Sequence, residues 1–320
     1  MLKTFDTLAH AGSARMAVLP KKVAETPQML VLEGVRQRNA VMDAAFYDLG
    51  GIIPGEARAL APWLAREGTI LIVPPSDQGE VVVCPTIAAF ADAGGAGVRS
   101  LAVAGVGSSA LGAAAFARNV ADATGANVAA VVSGYGAADV IAEGMGGWFW
   151  FGTVNRLRHA FEYVDWLSDA PAGAGEASGD ALSLRGLNMS RDTVTLLELL
   201  GDRRFSFSLL TGHSKGNLVL AETLYALVGR ARHLGEPLAF DPLIVTFSAA
   251  IALPDHFTHI VDVMGRIDNF GLLNSTPGIA IDHWVPGAWH HTNTRWHWHL
   301  PVRRTLAGIL AQYAWSAPTA

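Results

Sequence analysis

Ser214 lies in the run Gly212-His213-Ser214-Lys215-Gly216, a G-x-S-x-G pattern whose neighbours suit a nucleophile. The apolar, β-prone stretch Phe205 to Thr211 precedes it, and Leu218, Val219, Leu220 and Ala221 follow at helical density. The order strand, tight turn, helix lifts a serine to the apex of the turn, where flanking glycines remove side chains that would clash. A helix starting at Lys215 aims backbone N–H groups and a partial positive charge at the same place.

A serine hydroxyl is a poor nucleophile near neutral pH, so it needs an imidazole to take its proton and a carboxylate to orient that imidazole. In doubly wound hydrolases these partners follow the nucleophile in the order carboxylate, histidine, at the C-terminal ends of strands. Two loops meet that requirement. Gly265-Arg266-Ile267-Asp268-Asn269-Phe270-Gly271 follows a strand expected over His259 to Met264, and Gly287 to Asn293 follows one expected over Ile279 to Val285. Asp268 is therefore the candidate acid, and His290 or His291 the candidate base. Asp255, after the strand expected over Leu243 to Ala252, is the substitute acid; Asp262 and Asp282 fall inside expected strands. His213 adjoins Ser214, but neighbours on a tight turn diverge, so it reads as structural.

The elements that must position these groups begin near residue 100. Residues 100 to 136 read as strand, glycine/serine turn, helix (Ala110 to Thr124) and strand, a βαβ unit with parallel strands. Its turn, Val106-Gly107-Ser108-Ser109, is expected to supply one oxyanion N–H from Val106, Gly107 or Ser108, with the N–H of Lys215 as the other donor. The same turn mimics a dinucleotide fingerprint, but Ser133-Gly134 stands where a ribose-binding acid is required, so no nucleotide cofactor is expected. Before residue 100, helices are expected within 28–48 and over 55–67, and short buried strands over Thr69 to Pro75 and Glu80 to Cys84, with no chemistry assigned to them. Further helices are expected at 192–201, 216–233 and from Arg303.

Between about 140 and 190 lie Gly146-Gly147-Trp148-Phe149-Trp150-Phe151-Gly152 and the low-complexity run 168–180, an insertion that reads as a lid or acyl-binding cap or as core packing. Trp148, Trp150 and Trp289 are the candidate substrate contacts, because indoles give large apolar surface at low entropic cost. Seven of the eleven histidines fall between 256 and 299, yet no H-x-x-x-H helix or CxxC pair accompanies them, so no metal site is expected.

Composition bounds the rest. Apolar residues at 51 % against 16 % charged provide for a sizeable core, and a net charge of -5 without a basic run argues against a nucleic-acid partner. The single cysteine, Cys84, excludes an internal disulfide. No secretory leader or run of 18 apolar residues is read, which leads to the expectation of a soluble, cytoplasmic protein with no transmembrane segment.

The G-H-S-K-G-N elbow, the D-x-x-G-R-I-D stretch from Asp262 to Asp268 and the late histidine together resemble the α/β-hydrolase superfamily. Within it, the elbow looks most like the class 3 (fungal) lipase-like branch, whose bacterial members often carry GHSKGGN; this chain has one glycine fewer after Lys215. The resemblance spans roughly residues 100 to 315 and leaves residues 1–99 as helices and strands added to the same domain. It implies a doubly wound, mostly parallel sheet and a serine esterase or lipase working on an apolar acyl or aryl ester, small or lipid-like. A non-catalytic scaffold of that fold, an acyltransferase using the same residues, and a short-chain-dehydrogenase-like oxidoreductase built on Thr211-Gly212-x-x-x-Gly216 stand as alternatives. The last lacks a final glycine (Leu218 occupies it) and a Y-x-x-x-K.

Overall fold

Short apolar runs separated by glycine-rich turns fold into one sheet. A computed structural model of the chain describes residues 2–18, 40–64, 66–105, 109–133, 190–313 and 315. The strands are β1 (Ile70–Val73), β2 (Val82–Cys84), β3 (Ser100–Val103), β4 (Val128–Val131), β5 (Leu209–His213), β6 (Leu243–Phe247), β7 (Ile260–Gly265) and β8 (His283–Val285). They lie in the order β2-β1-β4-β3-β5-β6-β7-β8. From β4 to β8 every neighbouring pair is parallel, while β1 runs antiparallel to both β4 and β2. This is a mixed, mostly parallel sheet of the α/β class.

Central strands β1, β3, β4, β5 and β6 are buried along their whole length, as sheets covered on both faces require. One face carries Leu71, Ala102, Val245 and Val263 against the helices Pro54–Leu60, Ala110–Thr124 and Val302–Gln312. The other carries Leu101, Leu210 and Ile244 against Ile87–Asp92, Arg191–Gly201 and Lys215–Leu234. Each fully buried leucine or isoleucine contributes about 1.5–3 kcal/mol relative to exposure. Local signals set the helix ends: Ser109 Oγ accepts from the Gly112 N–H at the start of Ala110–Thr124, and Gly125 and Gly235 close their helices at φ 70° and 64°.

Several expected boundaries shift. The strand expected from Phe205 begins at Leu209; Phe205 and Phe207 instead bury on the helical side, with the Phe205 ring 5.0 Å from Phe90. A turn bond from the Phe205 N–H to the Asp202 carbonyl bends that stretch out of the ladder. The segment expected as a strand from Ile279 is ladder-paired only at His283–Val285. β2 is an edge strand with Val82 exposed, not a buried one. The helix expected over 55–67 runs from Pro54 to Leu60 and tightens to a 3-10 turn over Ala61–Trp63. Residues 40–46 are helical; the 28–39 part of that expected helix, the 106–108 turn and the 134–189 insertion, with Trp148 and Trp150, lie outside the described residues.

Candidate functional site

Because β5, β7 and β8 are parallel, the loops leaving their C-terminal ends converge on one edge of the sheet. Ser214 directly follows β5, Asp268 comes three residues after β7, and His290 five residues after β8.

Glycine permits the turn at Ser214. A Cβ on Gly216 would lie 2.1 Å from the Val103 carbonyl oxygen, and one on Gly212 would lie 2.2 Å from Asn217 Oδ1. A side chain at either position would push helix Lys215–Leu234 away from the strands. Ser214 itself sits at φ 53°, ψ -121°, a backbone conformation that costs a non-glycine residue about 1–3 kcal/mol. The turn is held from the end of β6 and the residues after it: the Ser214 N–H donates to the Phe247 carbonyl at 2.8 Å, and Asn217 Nδ2 donates to the Phe247 and Ala249 carbonyls at 3.0 and 2.8 Å.

Asp268 caps the short helix Asn269–Leu273, with Oδ1 accepting the Gly271 N–H at 2.6 Å. Its loop is tied to the loop of the histidine, since the Ile267 N–H donates to the Ala288 carbonyl at 3.1 Å. Gly265 allows that approach: a Cβ there would lie 2.2 Å from the same carbonyl oxygen.

These loops bring three of the expected residues together. His290 Nδ1 lies 3.0 and 2.9 Å from Asp268 Oδ1 and Oδ2, and His290 Nε2 lies 2.9 Å from Ser214 Oγ. Asp268 and His290 are fully buried, while Ser214 retains 8 % exposure, so the serine is the member of the three that meets solvent. A carboxylate only accepts hydrogen bonds, so it fixes the proton on Nδ1 and leaves the Nε2 lone pair facing the serine hydroxyl. Phe270 and Phe46 meet the imidazole edge-on at 4.7 and 5.9 Å and wall it from water.

The other histidine of the pair is directed elsewhere. His291 Nε2 bonds the His297 carbonyl at 3.0 Å, and burial pushes its pKa down, so the Ser214 contact belongs to His290 and not His291. His299 Nδ1 likewise faces the Trp296 carbonyl at 3.1 Å, and these histidines pin the 291–300 loop to itself. Among the described residues, no group of three or more His, Cys, Asp or Glu side chains is arranged to hold a metal. Asp255 is exposed and takes no part in the site; Asp262 accepts from Thr246 Oγ1, and burial, with Asp282 adding to it, raises its pKa to about 6.

Lys215 heads its helix at the serine, and a Cβ on Gly105 would lie 2.9 Å from its backbone nitrogen, so the end of β3 rests on the elbow. Val106, Gly107 and Ser108 continue from there beyond the described residues. Trp289 is 39 % exposed and stacks on Phe46 at 6.3 Å, at the rim of the site.

Comparison of the chain with protein-family models, curated proteins and solved structures returned no match. The site's geometry therefore carries the functional argument.

The N-terminal part, to which the sequence assigns no chemistry, supports the site directly. The Phe46 carbonyl accepts the Thr292 N–H at 2.7 Å, and the Ala44 carbonyl accepts Asn293 Nδ2 at 2.8 Å, clamping the loop that bears His290. Buried Asp43 accepts the Ser109 N–H at 2.7 Å through Oδ2. Tyr47, fully buried, has its hydroxyl 2.7 Å from the Gly105 nitrogen and 2.8 Å from His213 Nδ1. His213 Nε2 lies 2.9 Å from the His290 carbonyl. Burial, then the neighbouring His290, lowers the His213 pKa to about 3, whereas burial, then Asp43, drives the Tyr47 pKa well above its ordinary value. The only trace in the sequence is the i, i+4 spacing of Asp43 and Tyr47 within an apolar helical stretch.

Proposed function

We propose that the chain is a serine hydrolase of the α/β-hydrolase type that cleaves carboxylic esters through an acyl-enzyme. The supporting observation is the aligned set Ser214 Oγ, His290 Nε2 and Asp268, with the serine raised on a positive-φ turn at the C-terminal ends of the parallel strands. In this reading Ser214 Oγ attacks the ester carbonyl carbon as its proton passes to His290 Nε2. Asp268 stabilises the imidazolium through the Nδ1–H bond. The tetrahedral oxyanion is met by the Lys215 N–H and by a donor from Val106, Gly107 or Ser108; each such donor is worth about 2.7–4 kcal/mol of barrier. His290 then protonates the departing alcohol, and the same imidazole activates water against the acyl-Ser214 ester.

An apolar acyl or aryl substrate suits the exposed Trp289 stacked on Phe46. No helix among the described residues is long and apolar enough to cross a membrane, and the proposed place of action is the cytoplasm. The test is hydrolysis of p-nitrophenyl esters from acetate to palmitate. The reading expects turnover that rises with apolar chain length and vanishes in Ser214→Ala. Turnover equal to that of Ser214→Ala for every ester would refute the hydrolase; activity confined to short polar esters would refute the substrate class.

A further inference from the structure

We propose that Tyr47 and His213 are positioning residues. A one-directional chain of three hydrogen bonds runs from the Gly105 N–H to Tyr47 Oη, from Tyr47 Oη–H to His213 Nδ1, and from His213 Nε2–H to the His290 carbonyl. It holds the imidazole of His290 in register with Ser214. The inference rests on His290 being the base of the proposed hydrolase.

The direction of every proton follows from the ends of the chain. A backbone N–H can only donate, so at its Gly105 end Tyr47 Oη accepts; a backbone carbonyl can only accept, so at its His290 end His213 Nε2 carries the hydrogen. A neutral imidazole with its proton on Nε2 has a lone pair on Nδ1, and the Tyr47 hydroxyl proton fills it. Every polar atom of the chain is thereby used, and all of them are buried. Protonating His213 would place a second N–H against Tyr47 Oη and strand the tyrosine's own proton. The titratable groups that face His213 are Tyr47, His290, Asp268 and His291, and the low pKa of His213, about 3, agrees with a ring kept neutral.

The chain joins three separate parts of the site. Gly105 lies two residues beyond β3 and abuts the elbow, where a Cβ would lie 3.0 Å from Ser214 Cβ. His213 is the last residue of β5, and its ring centroid is 5.2 Å from that of His290. The His290 carbonyl belongs to the same residue whose imidazole reaches Ser214. Tyr47 thus ties the serine's turn to the backbone of the base from a segment that contributes no group to the reaction, which distinguishes positioning from catalysis.

Two measurements on the full chain test this. In nitrogen-15 NMR of histidine-labelled protein, His213 is expected to carry its proton on Nε2 alone and not to titrate from about pH 5 to about pH 8. A His213 that titrates there, or holds its proton on Nδ1, would overturn the chain. With Tyr47→Phe, His213 Nδ1 loses its donor, so the Nδ1 resonance is expected to shift while the proton stays on Nε2, and kcat on a p-nitrophenyl ester to fall about 10- to 100-fold with KM within about twofold. His213→Gln, which can still offer an N–H to the His290 carbonyl, is expected to retain more kcat than His213→Phe. A shifted His213 Nδ1 resonance with kcat unchanged would overturn the positioning role, as would a kcat loss with the His213 spectrum intact. A parent protein without Ser214-dependent activity would refute the hydrolase reading, and the spectra would still decide the hydrogen-bond chain.

Discussion

His290 presents Nδ1 to both oxygens of Asp268, at 3.0 and 2.9 Å, with neither side chain exposed to solvent. Asp268 also accepts the Gly271 N–H, so the carboxylate is fixed by its own helix before it fixes the imidazole. Asp268→Asn replaces an acceptor with a group that can donate and so permits the tautomer with the proton on Nε2. The expected loss in kcat is about 10³- to 10⁴-fold with KM little changed. Steady-state kinetics on a p-nitrophenyl ester reads this; a loss below tenfold would remove Asp268 from the mechanism.

The two elbow glycines answer to different neighbours, which separates their substitutions. A Cβ at Gly216 meets the Val103 backbone carbonyl at 2.1 Å, whereas at Gly212 it meets the side-chain oxygen of Asn217 at 2.2 Å. Backbone in the sheet cannot move aside, so Gly216→Ala is expected to destabilise by about 2–4 kcal/mol, in the range of strained core substitutions. Gly212→Ala displaces Asn217 and its two hydrogen bonds to the Phe247 and Ala249 carbonyls, an effect of about 1–3 kcal/mol. Urea denaturation of both variants measures the difference, and a fully stable Gly216→Ala would contradict the packing.

Strain at Ser214 gives an opposite sign. At φ 53°, ψ -121°, alanine keeps the strain while glycine relieves it, partly offset by glycine's greater unfolded-state entropy. Ser214→Gly is therefore expected to be more stable than Ser214→Ala by about 1 kcal/mol, a difference set by backbone strain. Equal melting temperatures would show that the turn is unstrained.

Much of this site was legible in the sequence, for reasons that particular residues make plain. Ser214 announces itself through local features, because Gly212 and Gly216 are needed by contacts within the turn and with the strand alongside. Asp268 and His290 are found by their order after apolar runs, since parallel strands bring successive C-terminal loops to one edge. The choice between His290 and His291 was not legible, because one residue of offset in an irregular loop reverses the direction of a side chain. Nor were Tyr47 and Asp43, whose partners His213, Gly105 and Ser109 lie 58 to 166 residues away in the chain. Composition also hid that Phe205 and Phe207 serve the helical layer, since β-prone residues bury equally well beside a strand.

Two buried groups give the stability a pH dependence of mixed sign. His213 falls to a pKa of about 3 from 6.5, so the unfolded chain binds the extra proton between those values. Its effect is that stability rises with pH through that window and is complete above about 6.5. Asp262 rises from 3.8 to about 6, chiefly through burial, so its contribution is complete below 3.8 and lost as pH climbs through 6. The two oppose each other between 3.8 and 6. Asp262→Asn removes the second, and stability between those limits is expected to rise more steeply with pH, by up to about 1.4 kcal/mol per unit. Denaturation midpoints across that range measure it; parallel curves for the two proteins would contradict the assignment.

The proposed hydrolysis requires Ser214 to be an activated nucleophile. Reaction of the purified chain with a fluorophosphonate, followed by peptide mass mapping, tests it most directly. A single phosphonylated residue, Ser214, is expected, with labelling abolished in Ser214→Ala and strongly slowed in Asp268→Asn. An unlabelled Ser214 in the folded protein, or modification at Ser108 or Ser109 instead, would contradict it.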